Sequence, residues 1–286
     1  MTKRIGIDAD LIVYESCHGA QARAKNIAIE NNEEWDDFPA PFEFVANKAE
    51  ATITEIVNNI QLHFPDEVLE VYLAFSDEHN FRREISVENI YKEGRTKPYH
   101  YKNIRIHLMG MYYCETRYGL EADDLLSINQ RQDPNHIIAS RDKDLRIIPG
   151  WYYGWENNNQ PEYGPKLHTE LGYLDLTPKR KLKGAGLKFF YAQLILGDSV
   201  DNIGGIPRKG DVYAYNLLHE CENEEQLAEK IAELYQDTYG DEAKTLMLER
   251  GRLLWMTSKL EDDGITPVLW EIPESVGGFN SQAKEN

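Results

Sequence analysis

Five short acidic motifs are the residues in this chain best suited to chemistry: Asp8-Ala9-Asp10, Asp77, Glu121-Ala122-Asp123-Asp124, Asp142-Lys143-Asp144 and Asp198-Ser199-Val200-Asp201. Carboxylate oxygens are the ligands that hard divalent cations such as Mg²⁺ or Mn²⁺ require, and these ions usually keep several waters as well. Two such ions about 4 Å apart can activate a water and stabilise the leaving oxygen of an in-line phosphoryl displacement. Such a site must gather many carboxylates from distant parts of the chain, because like charges repel unless cations lie between them. Each motif alone has a plainer reading. An isolated Asp-x-Asp is usually a turn or a cap, Glu-Ala-Asp-Asp before Leu125-Leu126 can be a helix start and nothing more, Asp142-Lys-Asp can be a solvated loop, and Asp198-Ser-Val-Asp can cap the next helix. Their conjunction carries the chemistry.

The elements that would position these acids follow from the apolar patterning. Residues 4–8 read as a buried strand ending in Asp8. Val68–Phe75 reads as a second, leading to Asp77, and His136–Ser140 as a third, leading to Asp142. Helical patterns over roughly 44–63 (Phe44, Ala49, Ile53, Ile56, Val57, Ile60) and roughly 121–131 lie between them. Strands alternating with helices imply an α/β, largely parallel sheet, whose ligands sit at the carboxyl ends of the strands. Three strands thus each deliver an aspartate to one edge. Glu121-Ala-Asp-Asp follows Gly119 at a predicted helix start, where the dipole favours anions and side chains two apart can both reach one edge. Residues 151–178 read as hairpins and loops. From about 186 onward the pattern is helical, over 187–196, 211–219, 223–236 and 241–257, with Ile265–Ile272 as a candidate edge strand. Residues 30–37 read as an acidic surface loop, and the tail after Gly277 as low-complexity sequence.

A chain of 286 residues with 41% hydrophobic and 11% aromatic residues can bury a sizeable core. Its net charge of −18 argues against nucleic-acid binding unless positive charge is concentrated locally. It is concentrated: residues 179–188 hold five basic residues and no acid, and 82–105 holds Arg82, Arg83, Lys92, Arg95, Lys97, Lys102 and Arg105. Cys17, Cys114 and Cys221 are an odd set without a Cys-x-x-Cys pair, which fits reduced thiols and a cytoplasmic location. No stretch approaches the ~18 apolar residues of a membrane span.

Taken in order, the motifs resemble the flap endonuclease superfamily of structure-specific 5′ nucleases, with a PIN-like fold, and within it the phage 5′→3′ exonuclease branch of the gene-six type. The stretches that carry the resemblance are Ile7–Tyr14, Leu73–Asp77 through Phe81–Glu84, Ile90–Arg95, Leu120–Asp124, Ile138–Leu145 and Leu196–Pro207, spanning residues 5 to about 218. The resemblance implies a nuclease domain over 1–180 with a helical arch at about 78–105. It also implies a helical DNA-binding region over 181–286 with a helix-three-turn-helix at about 187–220. Asp8, Asp77, Glu121 and Asp123, with Asp124 nearby, would hold one Mg²⁺ or Mn²⁺; Asp142, Asp144, Asp198 and Asp201 would hold or approach a second. Lys92, Arg95 and Arg82 would meet the scissile phosphate, and Tyr91 would stack on a base. Lys181, Lys183, Gly204, Gly205, Arg208 and Lys209 would grip duplex backbone, with K⁺ at the helix-three-turn-helix. The implied partner is DNA with 5′ ends or flaps, or RNA in a hybrid, acted on by a monomer in replication or nucleic-acid degradation, in the host cytoplasm if the protein is phage-encoded. The chain departs from the family where Gly-x-Gly-x-Lys reads Arg208-Lys209-Gly210-Asp211-Val212, and Asp10 falls where many relatives are uncharged, so it is not counted as a ligand. Arg141 reads equally as a phosphate contact or as charge balance.

Two rival readings have their own marks. A haloacid-dehalogenase-like phosphatase would use Asp8-x-Asp10 and Gly197-Asp198-x-x-Asp201, but needs a strand before Gly197 where the pattern is helical, and leaves Glu121, Asp123, Asp124, Asp142 and Asp144 idle. A non-catalytic DNA-binding relative would have lost carboxylates, and here the set is complete.

Overall fold

The computed structural model describes residues 2–31, 39–94, 96–157 and 160–276. Arg95, most of the expected acidic loop at 30–37 and the tail after Gly277 lie outside the described residues. The chain forms two compact units that interleave along the sequence: Met1–Glu78, Arg95–Asp142 and Gly150–Lys166 in the first, and His79–Gly94, Lys143–Pro149 and Leu167–Asn286 in the second.

The first unit is built on a sheet ordered β3-β2-β1-β4-β5-β6. Its strands are β1 (Thr2–Asp8), β2 (Val68–Ala74), β3 (Cys114–Glu115), β4 (His136–Ala139), β5 (Gly150–Gly154) and β6 (Tyr163–His168). The pairings β1–β2, β1–β4, β2–β3 and β4–β5 are all parallel. Central parallel strands are covered on both faces, which is why Ile5, Ile7, Leu73, Ile137 and Ala139 are apolar and fully buried. Helix α1 (Ala9–Glu30) and helix α2 (Phe42–His63) pack with them. Along α2, Val45, Ala49, Ile53, Ile56 and Ile60 recur at helical spacing and form its buried stripe. Helices α4 (Tyr101–Met111) and α5 (Ala122–Gln132) complete the unit. A polar chain ties α5 to the sheet: His136 Nδ1 lies 2.6 Å from the Gln130 side-chain Oε1, so it donates, and Nε2 accepts from the Tyr72 hydroxyl at 2.8 Å. Burial pushes the His136 pKa down to about 3, so the ring is neutral.

The second unit contains the short helix α3 (Arg82–Ile85), the antiparallel hairpin β7 (Tyr173–Leu176) and β8 (Leu182–Ala185), and helices α6 (Gly186–Leu196), α7 (Asp211–Leu218), α8 (Glu224–Tyr239) and α9 (Ala243–Leu254). Helix α6 is apolar on nearly every side and is buried accordingly, with Phe189, Phe190, Tyr191, Leu194 and Ile195 at its heart. Asn223 caps α8 by accepting from the Gln226 amide at 2.9 Å.

Two expectations are corrected. Residues 265–272 do not form a strand and contribute only an isolated bridge between Leu260 and Pro267. The Asp263 carboxylate takes the amides of Ile265 and Thr266, each at 2.8 Å, and Pro267 has no N–H to offer a ladder. The stretch 151–178 is more regular than hairpins and loops, because β5 joins the parallel sheet beside β4. Among the described residues, no helix is long and apolar enough to cross a membrane.

Candidate active site

The first unit places six of the predicted metal ligands at one sheet edge. Asp8 is the last residue of β1, and Asp77 and Asp142 follow β2 and β4 by three residues each. The start of α5 is tied to the same edge: the Asp77 amide donates to the Leu120 carbonyl at 2.9 Å, and the Ala122 amide to the Ser76 hydroxyl at 2.9 Å. That brings in Glu121, Asp123 and Asp124. Glu121 and Asp124 form a reciprocal capping box, in which the Glu121 amide donates to Asp124 Oδ2 at 3.2 Å.

Local donors hold these acids. Asp8, 5% exposed, accepts from the Leu11 amide at 3.1 Å and from the Ser140 hydroxyl at 2.9 Å. Asp77 accepts from the Gly119 amide at 2.9 Å. Burial, and then the negative charge of Asp10, push the Asp8 pKa up to about 7, with Asp142 adding to the effect. Among the described residues, no group of three or more His, Cys, Asp or Glu side chains is arranged to enclose a metal ion. The acids share an edge while the oxygens of Asp8, Asp77, Glu121 and Asp124 turn onto local donors. Their chemistry still fits a divalent cation: hard oxygen donors line one edge, where Asp8 is disfavoured as an anion by its burial and its neighbours.

Several residues around the edge have roles the sequence left open or concealed. Asp10 accepts from the Ser76 amide at 2.9 Å and pairs with Arg105 at 2.6 Å, and Arg105 donates onward to the Ser76 carbonyl at 2.9 Å. Asp10 and Arg105 therefore hold the turn that leads to Asp77. A basic residue placed one helix beyond the acids gives no local signal of such a pairing. Arg141 is bonded to Glu15 with its side chain 8% exposed, which favours charge balance over phosphate contact. The Asp142 amide donates to the Ser140 hydroxyl at 3.0 Å, and its carbonyl accepts from Tyr152 at 2.8 Å.

In the second unit, Asp144 and Asp198 stand on either side of one cation, the Lys143 ammonium, 3.7 Å from each. Gln193 also donates to Asp144 at 2.5 Å. A protein cation shared by two acids marks a place where positive charge is stabilised. Asp198 Oδ1 accepts from the amides of Val200 at 2.7 Å and Asp201 at 3.2 Å, fixing the turn after α6. Since α6 is a helix, the strand that the phosphatase reading needs before Gly197 is absent. Asp201 accepts from the Tyr91 hydroxyl at 3.0 Å and lies 3.7 Å from the Lys92 ammonium.

Two further expectations are corrected. Tyr91 is 3% exposed, so its ring is not offered to a base; its hydroxyl is used on Asp201. Arg82 is 1% exposed and donates to the carbonyls of Leu253 at 3.1 Å and Trp255 at 2.7 Å, which makes it a tie between α3 and the end of α9 instead of a phosphate ligand. At Gly204 and Gly205 a side chain does not fit: a Cβ on Gly204 would meet the Glu88 carboxylate at 3.1 Å, and one on Gly205 would lie 2.4 Å from the Leu196 carbonyl. The remaining basic residues of the duplex-gripping set are accessible to different degrees. Lys181, Lys183 and Arg208 are exposed, with Lys181 3.3 Å from Asp211, while Lys209 is half-buried and lies 4.0 Å above the Tyr213 ring.

No family model matches the chain. A stretch of 127 residues is 31% identical to DNA polymerase I of Rhizobium leguminosarum; it spans 43% of this chain and 12% of that polymerase. Among solved structures, the bacteriophage T5 5′-exonuclease with divalent metal ions (zinc) bound superposes with a TM-score of 0.54 at 15% identity, over 88% of this chain and 89% of that one. The bacteriophage T5 flap endonuclease, in a pseudo-enzyme–product complex with DNA and metal ions, gives 0.51 at 16% identity over 88% of each chain. A mostly parallel sheet in the order described and these superpositions agree: the chain has the fold of the bacteriophage T5 5′-exonuclease and flap endonuclease.

Proposed function

We propose that the chain is a metal-dependent nuclease that hydrolyses DNA phosphodiesters at 5′ ends or flaps, with RNA in a hybrid as a second substrate. The observation that carries this reading is the delivery of Asp8, Asp77, Asp142 and the Glu121–Asp124 helix start to one edge of a parallel sheet. Mg²⁺ or Mn²⁺ would be held by Asp8, Asp77, Glu121, Asp123, Asp124 and Asp142 in the first unit. Asp144 and Asp198 are proposed to serve in metal binding in the second, with Asp201 approaching the same ion. Bound cations would supply Lewis-acid charge for a phosphoryl displacement. The chain's own cations do the rest: Lys92 and Arg95 bind the scissile phosphate, and Lys181, Lys183, Arg208 and Lys209 hold duplex backbone. Preorganised charge aimed at a developing oxyanion is usually the largest single catalytic contribution in such sites. The fold's similarity to enzymes solved with metal ions and DNA supports this assignment, as does the order of the acidic motifs. A monomer acting in phage replication or nucleic-acid degradation, with K⁺ at residues 197–218, completes the proposal.

The test is cleavage of 5′-labelled duplex in Mg²⁺ by the Asp142→Asn/Asp144→Asn variant. Loss of cleavage is expected, and undiminished cleavage excludes the proposal. Product lengths on flapped, blunt and nicked duplexes then separate exonucleolytic trimming from flap cutting.

A further inference from the structure

Lys92 stands in the left-handed region of backbone space, at φ 52°, where a side chain with a Cβ is crowded against its own carbonyl. Its neighbour across the contact, Asn202, is also left-handed at φ 61°. Such conformations persist only where the surroundings over-determine them, and they concentrate at functional positions.

The surroundings here are explicit. The Lys92 amide donates to the Asp201 carbonyl at 3.2 Å, and the Asn202 side chain donates back to the Ile90 carbonyl at 3.0 Å. The Tyr91 hydroxyl fixes the Asp201 carboxylate at 3.0 Å, and that carboxylate faces the Lys92 ammonium. Upstream, the Glu88 carboxylate takes two N–H groups from Arg250, at 2.8 and 2.6 Å, and the Arg250 side chain is 3% exposed. Glu249, one residue earlier on α9, accepts from the amides of Val87 at 2.5 Å and Glu88 at 2.6 Å. The turn carrying Lys92 is thus clamped at both ends, by α9 on one side and by the loop after α6 on the other.

We propose that Tyr91, Asp201 and the Glu88–Arg250 pair are positioning residues for Lys92: they hold its ammonium in place before a phosphate arrives, so that alignment is not re-established at every turnover. The inference rests on the proposed phosphate-binding role of Lys92, and its test separates the two.

The variants are Tyr91→Phe, Lys92→Ala, their combination, and Lys92→Gly. Tyr91→Phe keeps the buried ring and removes only the hydroxyl. It should lower kcat about tenfold while leaving the KM for duplex within about twofold, a pattern expected when alignment and not ground-state binding is lost. Combined with Lys92→Ala it should add nothing further, because residues acting as one unit are non-additive. In the metal-free protein, Lys92→Gly should melt above Lys92→Ala, since alanine still forces a Cβ into the left-handed turn and glycine does not. Additive losses in the double variant overturn the positioning role. A Lys92→Gly protein no more stable than Lys92→Ala shows the turn is not strained, and overturns it too. Wild-type turnover by Lys92→Ala instead removes the phosphate-binding role itself, whatever the melting comparison gives.

Discussion

Asp8 shows how a single residue sets the chemistry available to the site. It is buried at the end of a central strand, faces Asp10 and Asp142, and its pKa rises to about 7 in consequence. The folded protein therefore binds a proton to Asp8 more tightly than the unfolded chain does, where the ordinary value is near 3.8. By linkage, the stability this group contributes is fully present below pH 3.8 and is lost as pH rises through about 7. Asp8→Asn should therefore stabilise the metal-free protein at pH 8.5 and do so far less at pH 5, read as the difference in melting temperature between variant and wild type at each pH. A divalent cation competes with that proton, so Mg²⁺ should raise the melting temperature of the wild type more at pH 8.5 than at pH 5. Lys92→Ala belongs to the same scale: it should lower kcat by roughly 10² to 10³, the usual cost of removing one preorganised electrostatic group, with a smaller change in KM. Equal changes in both would make Lys92 a gripping residue.

At the scale of elements, legibility followed locality. The strands β1, β2 and β4 are readable because their buried ends are short, mostly apolar runs, and each ends at its acid or three residues before it. Helix α2 is readable from its Ile53–Ile56–Ile60 stripe. Helix α1 is not, because its buried face is largely made of small residues such as Ala9, Ser16, Cys17 and Ala20, which leave little apolar period. What the sequence concealed were partners supplied from far away. Arg82 looks like a surface cation until the carbonyls at the end of α9 take its guanidinium, and Tyr91 looks like a stacking ring until Asp201 takes its hydroxyl. Gly205 also lets the loop close against the end of α6. Gly205→Ala would press a methyl group onto the Leu196 carbonyl, and overpacking of this kind costs about 1–3 kcal/mol. Urea unfolding should show that loss of stability, and duplex affinity of the folded variant should stay unchanged; weakened affinity at unchanged stability would return Gly205 to the DNA surface.

At the scale of the whole molecule, a net charge of −18 has to be reconciled with a polyanionic substrate. Uneven distribution and cation uptake reconcile them: the acid is concentrated in 30–37, in 220–242 and in the carboxylate motifs, where divalent ions would neutralise part of it, and the segment 179–188 carries five cations without an acid. Lys181 and Lys183 are the exposed members of that segment proposed to meet phosphates. Replacing both with alanine should weaken duplex binding across all sequences and flatten the dependence of log K on log salt by up to about 2, from roughly 0.9 per phosphate contact. An unchanged salt slope would move the duplex to another face. The central claim, that acids gathered from distant parts of the chain bind divalent cations, is tested most directly by titrating Mn²⁺ into the protein and into Asp8→Asn/Asp77→Asn while following free Mn²⁺ by electron paramagnetic resonance. The account predicts saturable binding by the wild type that the variant loses. Equal binding by the two proteins, or none by either, would contradict it.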